Sequence, residues 1–257
     1  MNKKTLCIVL GTALVLKFAL ALAVPLTPDE SLHWMQGRNL AWGFRDHPPV
    51  TAFLSFVSRT VFGVSTPSAR LFAILSTTLC SFIAYAILKE AGCSEKTSCR
   101  GGVMLQLMPI FAFGVIMVPA FPFTALVFAT EYFLFRAVRR DRLADHLLWG
   151  FFLGVSVLSY YIVVTAALAA GVYFALDQKG RRTLASPRFW AGAALAGLIA
   201  APNICWNIGL GTDSAVWFQV VSRSPYSLNI MHFLSFAAVC IIITGPAIIL
   251  AAVRACS

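Results

Sequence analysis

Residues 67–100 read PSARLFAILSTTLCSFIAYAILKEAGCSEKTSCR, and this stretch decides the fold class. From Pro67 to Leu88 it is almost continuously apolar, close to the length of about 20 residues that a helix needs to cross a hydrocarbon core. The run then stops at a loop carrying Lys89, Lys96 and Arg100. An apolar run followed by a basic loop is the repeating pattern of the chain. Further runs cover roughly 5–24, 102–118, 121–137, 147–159, 161–176, 189–206 and 230–253. Composition agrees: 59% of the 257 residues are apolar, only 12% are charged, and mean hydropathy is +0.81. A soluble domain keeps about a quarter of its residues charged because its surface faces water. The sequence therefore predicts one all-α integral membrane domain over 1–257, with about eight transmembrane helices.

The formal charge of +10 forms no single patch, which excludes a nucleic-acid partner. The basic residues instead mark one side of the membrane. Fourteen of the twenty Lys and Arg residues fall at alternate ends of the spans, from Lys3 and Lys4 through the clusters at 136–142 and 179–188 to Arg254. The positive-inside rule then places both termini in the cytoplasm of a bacterial inner membrane. Lys17 is left inside the first span. The stretch 147–176 admits one long tilted helix or two segments breaking near Ser159-Tyr160-Tyr161. Two segments keep both flanking basic clusters inside, and this reading is preferred. The N-terminal run has a rival reading as a secretory signal cut after Ala21-Leu22-Ala23. Seven cysteines show no CxxC pair, so neither a disulfide framework nor a zinc site is indicated.

Two polar stretches fall on the opposite, outer side, residues 25–66 and 207–229. The first contains TPDESLHWMQGRNLAWGFRDHPPV, Thr27 to Val50. Pro28 can open a helix, and Asp29 and Glu30 in its first turn suit the positive end of the dipole. Helical spacing puts Asp29, His33 and Gln36 on one side. Pro48 and Pro49 stiffen the turn that presents Asp46 and His47. Two acidic sites and two histidines within 19 residues fit either a general base with its orienting groups or a divalent-cation site. A solvated loop with its charges paired to Arg38 and Arg45 is the plainer alternative.

The order Asp29-Glu30, then Gly43-Phe44-Arg45-Asp46-His47-Pro48-Pro49, then Phe62-Gly63 and Arg70, resembles the bacterial dolichyl-phosphate-mannose-protein mannosyltransferase-like family. This family of C-type membrane glycosyltransferases includes relatives of the lipid A aminoarabinose transferase. Pro202, Trp206-Asn207, Trp217-Phe218-Gln219 and Arg223 continue the likeness in order. The resemblance implies sugar transfer from a polyprenyl-phosphate carrier to a lipid, glycan or protein acceptor on the outer face, with lipid A modification among the possibilities. It makes Asp29 the candidate base. Asp46 joins it as a catalytic candidate, and Glu30 and His47 orient the acceptor or, with the aspartates, hold a cation. Arg70 and Arg223 would pair with the lipid phosphate, and His33, Tyr160, Asn207 and Gln219 would contact substrate. The expected partners are membrane lipids, the lipid-linked donor and a further membrane protein.

Two positions depart from the family pattern. Relatives carry an acidic residue in a T-P-D-x-P element where this chain has Val118-Pro119-Ala120-Phe121-Pro122, and often a Lys where it has Tyr160. Two other readings follow. One is a non-catalytic membrane subunit built on the same fold. The weaker is a transporter, whose broken midplane helices only the 159–161 break would supply.

Overall fold

The computed structural model describes residues 2–44 and 46–209, and all regular structure in them is helical. Helix α1 spans Lys3–Ala23, with the Asn2 side chain accepting from the Thr5 N–H to satisfy one of the free donors of its first turn. Two short helices follow, α2 (Pro28–Gln36) and α3 (Val50–Phe62), within the stretch read as the first outer segment. Helix α4 (Thr66–Glu90) is the apolar run quoted above. Next come α5 (Glu95–Leu107), the single turn α6 (Pro109–Ala112) and α7 (Ala120–Arg140). Last are α8 (Leu143–Val157), α9 (Val163–Leu176), α10 (Gln178–Leu184) and α11 (Pro187–Gly209).

Four of these, α1, α4, α7 and α11, are long and apolar enough to cross a membrane, so the chain is a multi-pass membrane protein. The other apolar helices among the described residues are shorter. The expected span 102–118 is not one helix. Met108 is extended because it precedes Pro109, and this ends α5 and restarts the chain as α6. The stretch 147–176 does break: α8 ends at Val157 and α9 begins at Val163, giving helices of 15 and 14 residues. At 1.5 Å per residue these are about 22 and 21 Å long, short of a core about 30 Å thick. The expected span 230–253 and most of the second outer segment, 210–229, lie outside the described residues.

Helix packing relies on small residues and on polar contacts between helices. The most extensive contact in the molecule is α8 against α11. At their crossing, a Cβ placed on Gly150 would fall on the Gly192 carbonyl, and one on Gly192 would fall on the carbonyl of His146. Only glycine allows the two backbones to approach this closely. Beside the crossing, Trp149, Phe174 and Phe189 stack into one cluster, with ring centroids 4.8 and 5.2 Å apart. Lys17, buried in α1, donates to the Thr77 and Thr78 hydroxyls of α4 at 2.9 and 3.1 Å. On the side read as cytoplasmic, Asp141 ends α7 in the left-handed region at φ 44° and accepts from His146, Ser186 and Arg188. This joins the α7–α8 turn to the start of α11.

The crossing makes a prediction. Gly150→Ala and Gly192→Ala should each lower the thermal unfolding midpoint in detergent, at an overpacking cost of about 1–3 kcal/mol. Gly197→Ala on the same α11 should leave the midpoint unchanged or raise it, since its Cβ meets nothing within 4 Å.

Candidate active site

The candidate site is built around a buried ion pair. Thr27 and Glu30 form a reciprocal capping box at the start of α2: the Thr27 hydroxyl accepts from the Glu30 N–H, and Glu30 Oε2 accepts from the Thr27 N–H at 2.9 Å. The same carboxylate takes a two-pronged contact from Arg70 on α4, Nε to Oε1 at 2.6 Å and Nη2 to Oε2 at 2.8 Å. A fourth donor, the Met117 N–H, reaches Oε1 at 3.1 Å. The remaining three N–H groups of Arg70 donate to the carbonyls of Ala21, Val24 and Pro25 at the end of α1. Both side chains are fully buried. Burial alone would raise the Glu30 pKa. The Arg70 hydrogen bonds, the two backbone donors and the Arg70 charge outweigh it and hold the carboxyl below its ordinary range.

Asp29, the neighbouring residue, has the opposite environment. It is exposed on the first turn of α2 and makes no hydrogen bond or ion pair among the described residues. One turn on, His33 is buried and its Nδ1 lies 3.0 Å from Gln36 Oε1. Gln36 Nε2 in turn donates to Asp46 Oδ1 at 3.4 Å. Asp46 Oδ2 is 3.8 Å from His47 Nε2, and the His47 ring lies 5.1 Å from that of His33 and 6.0 Å from that of Tyr160. The structure thus brings His33, Gln36, Asp46, His47 and Tyr160 into one chain of contacts. Asp29 joins it through its charge, which acts on His47. Burial is the main influence on His47 and lowers its pKa. His33 adds to this, and Asp46 and Asp29 oppose it; the net value falls below the ordinary range. His47 Nδ1 is buried with no partner among the described residues.

The far wall comes from the end of α11. Asn207 Nδ2 lies 3.1 Å from the Tyr161 hydroxyl and 3.2 Å from Asn203 Oδ1. Asn203 donates to the Trp42 carbonyl at 2.7 Å, while Gly43 sits where a Cβ would strike Trp206. Val50 N–H donates to the Leu158 carbonyl at 3.0 Å. These contacts lay the 37–49 loop across the α8–α9 break and against α11. Gln219 and Arg223, with Arg45, lie outside the described residues. Asn203 carries this docking and was not singled out from the sequence. A polar side chain inside an apolar run was the available signal.

Three expectations can be placed against this geometry. Arg70 is directed to Glu30 and the α1 carbonyls, with all five N–H groups engaged. Glu30 serves this same contact, which sets the orientation of α2. For a divalent cation, no three His, Cys, Asp or Glu side chains converge as a ligand set among the described residues. Ala120 opens α7 three residues after Met117.

The family described as dolichyl-phosphate-mannose-protein mannosyltransferase matches residues 46–206, well over half of the chain and beginning at Asp46. The chain belongs to that family. Its resemblance to these membrane glycosyltransferases, read from the DE and DHPP elements, therefore holds. The chain is also similar to the lipopolysaccharide core galacturonosyltransferase RgtA of Rhizobium johnstonii, 25% identical over 215 residues. That alignment covers 80% of this chain and 42% of the relative, so the chain spans less than half the relative's length. No solved structure matches it.

The buried pair gives a pH test. A carboxyl held below its unfolded value of about 4.3 contributes stability that is fully present above that value and is lost as pH falls through the folded pKa. The detergent-solubilised chain should keep its unfolding midpoint down to about pH 5 and lose it below about pH 4. Glu30→Gln should lower the midpoint at pH 7, at a cost of about 3–5 kcal/mol for stranding Arg70, and should flatten the acid limb.

Proposed function

We propose that the chain transfers a sugar from a polyprenyl-phosphate carrier to an acceptor hydroxyl at the outer face of a bacterial inner membrane, with inversion at the anomeric carbon. One observation carries this reading: of two adjacent carboxylates, Glu30 has both oxygens saturated by four donors and Asp29 has none among the described residues. A general base must be free to take a proton, and of the two Asp29 is the one so placed. Glu30 and Arg70 hold α2 so that Asp29 faces the Asp46–His47 turn. The His47 ring carries two nitrogens that can accept from or donate to a substrate hydroxyl. Tyr160 offers one neutral hydrogen bond from the opposite wall, and Arg223 is the remaining candidate for the donor phosphate. Family membership supports the transferase class. The relative's name supports a sugar acceptor of the lipopolysaccharide-core type, ahead of lipid A.

The orientation belongs to the same proposal. Eight crossings with both termini in the cytoplasm put the α2–α3 segment outside and the Asp141 cluster inside, in agreement with the basic loops. The paired short helices α8 and α9 and the broken α5–α6 stretch then cross in pieces, with α8 packed on α7 and α11 and α5 on α4 and α1.

Asp29→Asn should reduce sugar transfer from a polyprenyl-phosphate donor by at least about 100-fold. The unfolding midpoint should not move, because the carboxylate makes no bond that the fold depends on. Transfer at the wild-type rate in that variant would overturn the assignment. If Asp29 and Asp46 are both neutralised and the physiological output persists, the non-catalytic subunit is the correct reading.

A further inference from the structure

Glu131 lies near the middle of α7, 11 residues from its start and 9 from its end. Its side chain is exposed at the helix surface and has no hydrogen bond or ion pair among the described residues. It lines two adjacent crevices along α7 and α9, about 220 Å³ and 680 Å³, which share Glu131 and Leu134 in their walls; Trp149, Leu153 and Phe189 of α8 and α11 close the smaller, and Ile87 of α4 and Lys179 of α10 the larger. Along α7 the wall runs through Val127, Glu131, Leu134 and Val138, which is one helical face over three turns. Across the gap stand Ala167 and Gly171 of α9, and a Cβ on Gly171 would meet nothing within 4 Å. The cations at the cytoplasmic mouth do not answer the carboxylate: Arg139 is turned to the Glu90 carbonyl and lies over Phe135, and Lys179 sits on α10 at the rim.

A charged group at mid-depth in an apolar span requires a counterpart. We propose that the α7–α9 crevice docks a transmembrane helix of another protein, one that carries a Lys or Arg at mid-depth to pair with Glu131. The groove is long enough for three turns of a helix, and charge complementarity sets the partner's chemistry. A second copy of this chain would bring a like charge to the same depth. The chain's own apolar run over 230–253 carries no Lys or Arg between its ends. The inference is independent of whether the outer site transfers sugar.

The test uses the full chain in phosphatidylcholine vesicles, with a photo-reactive residue replacing Val127. It is mixed with a Leu/Ala transmembrane peptide bearing one central Lys, or with the same peptide bearing Leu there. The Lys peptide should cross-link at least tenfold more than the Leu peptide, and Glu131→Gln should remove that excess. Equal yields from the two peptides with the wild-type side chain would overturn the proposal, and so would an excess that survives Glu131→Gln. Adducts confined to residues 210–257 of the same chain would overturn it as well, since the crevice would then be filled from within. The comparison of the two peptides decides the matter even where the Gln variant folds poorly.

Discussion

The α2 end of the structure depends on one guanidinium. Arg70 binds two oxygens of one carboxylate and three carbonyls at the end of α1, so all five of its donors are used. The last carbonyls of a helix have no partners within it, and a cation placed there also meets the negative end of the helix dipole. Without Arg70, three carbonyls would lose their donor and the buried Glu30 carboxylate would keep only the Thr27 and Met117 N–H groups. A buried pair of this kind adds little net stability over a well-packed apolar substitute, because both ions must leave water. It does impose geometry: an apolar contact would hold α2 near α4 without fixing its rotation. The five-bond arrangement fixes which face of α2 points inward.

That fixed rotation separates two adjacent carboxylates. Successive residues on a helix point about 100° apart, so locking Glu30 inward turns Asp29 outward. The Met117 N–H on the same carboxylate ties in the segment that leads to α7. In the proposed reaction α2 aims the base, and Asn203 and Asn207 form a polar wall at the end of α11.

Much of this was legible in the sequence, for identifiable reasons. α1, α4, α7 and α11 follow from hydropathy because a span carries its signal in every residue. The stiff DHPP turn and the capped start of α2 follow from local rules for proline and for Thr-x-x-Glu. The break after Leu107 was within reach, since Pro109 marks it, but a hydropathy window runs across a proline flanked by apolar residues. The partner of Arg70 was not legible. An Arg at the outer end of a span suits a lipid phosphate as well as a carboxylate, and Glu30 lies 40 positions away in the chain. Local patterns do not encode such a long-range choice. Asn203 was missed for a similar reason, because its acceptor is a backbone carbonyl in a distant loop.

The polar groups inside the spans extend the same physics to mid-depth. Lys17 is answered by two threonines of α4, and Gln106 by Ser81 and the Phe111 carbonyl. Each closes a contact between helices of this chain, and the cost of burying it is offset locally. Glu131 has no such answer among the described residues. A charged side chain at a helix centre costs about 2.5–3.5 kcal/mol against lipid. The α1–α4–α5 side of the bundle thus pairs its buried polar groups within the chain, although a crevice of about 660 Å³ also opens there between α1 and α5; the α7–α9 side leaves a carboxylate unpaired among the described residues. The candidate site depends on the α1–α4 contacts, since Arg70 is on α4 and its carbonyl acceptors are on and just after α1. A helix entering the α7–α9 gap would stand away from the Glu30–Arg70 pair, so it could dock without disturbing the orientation of Asp29.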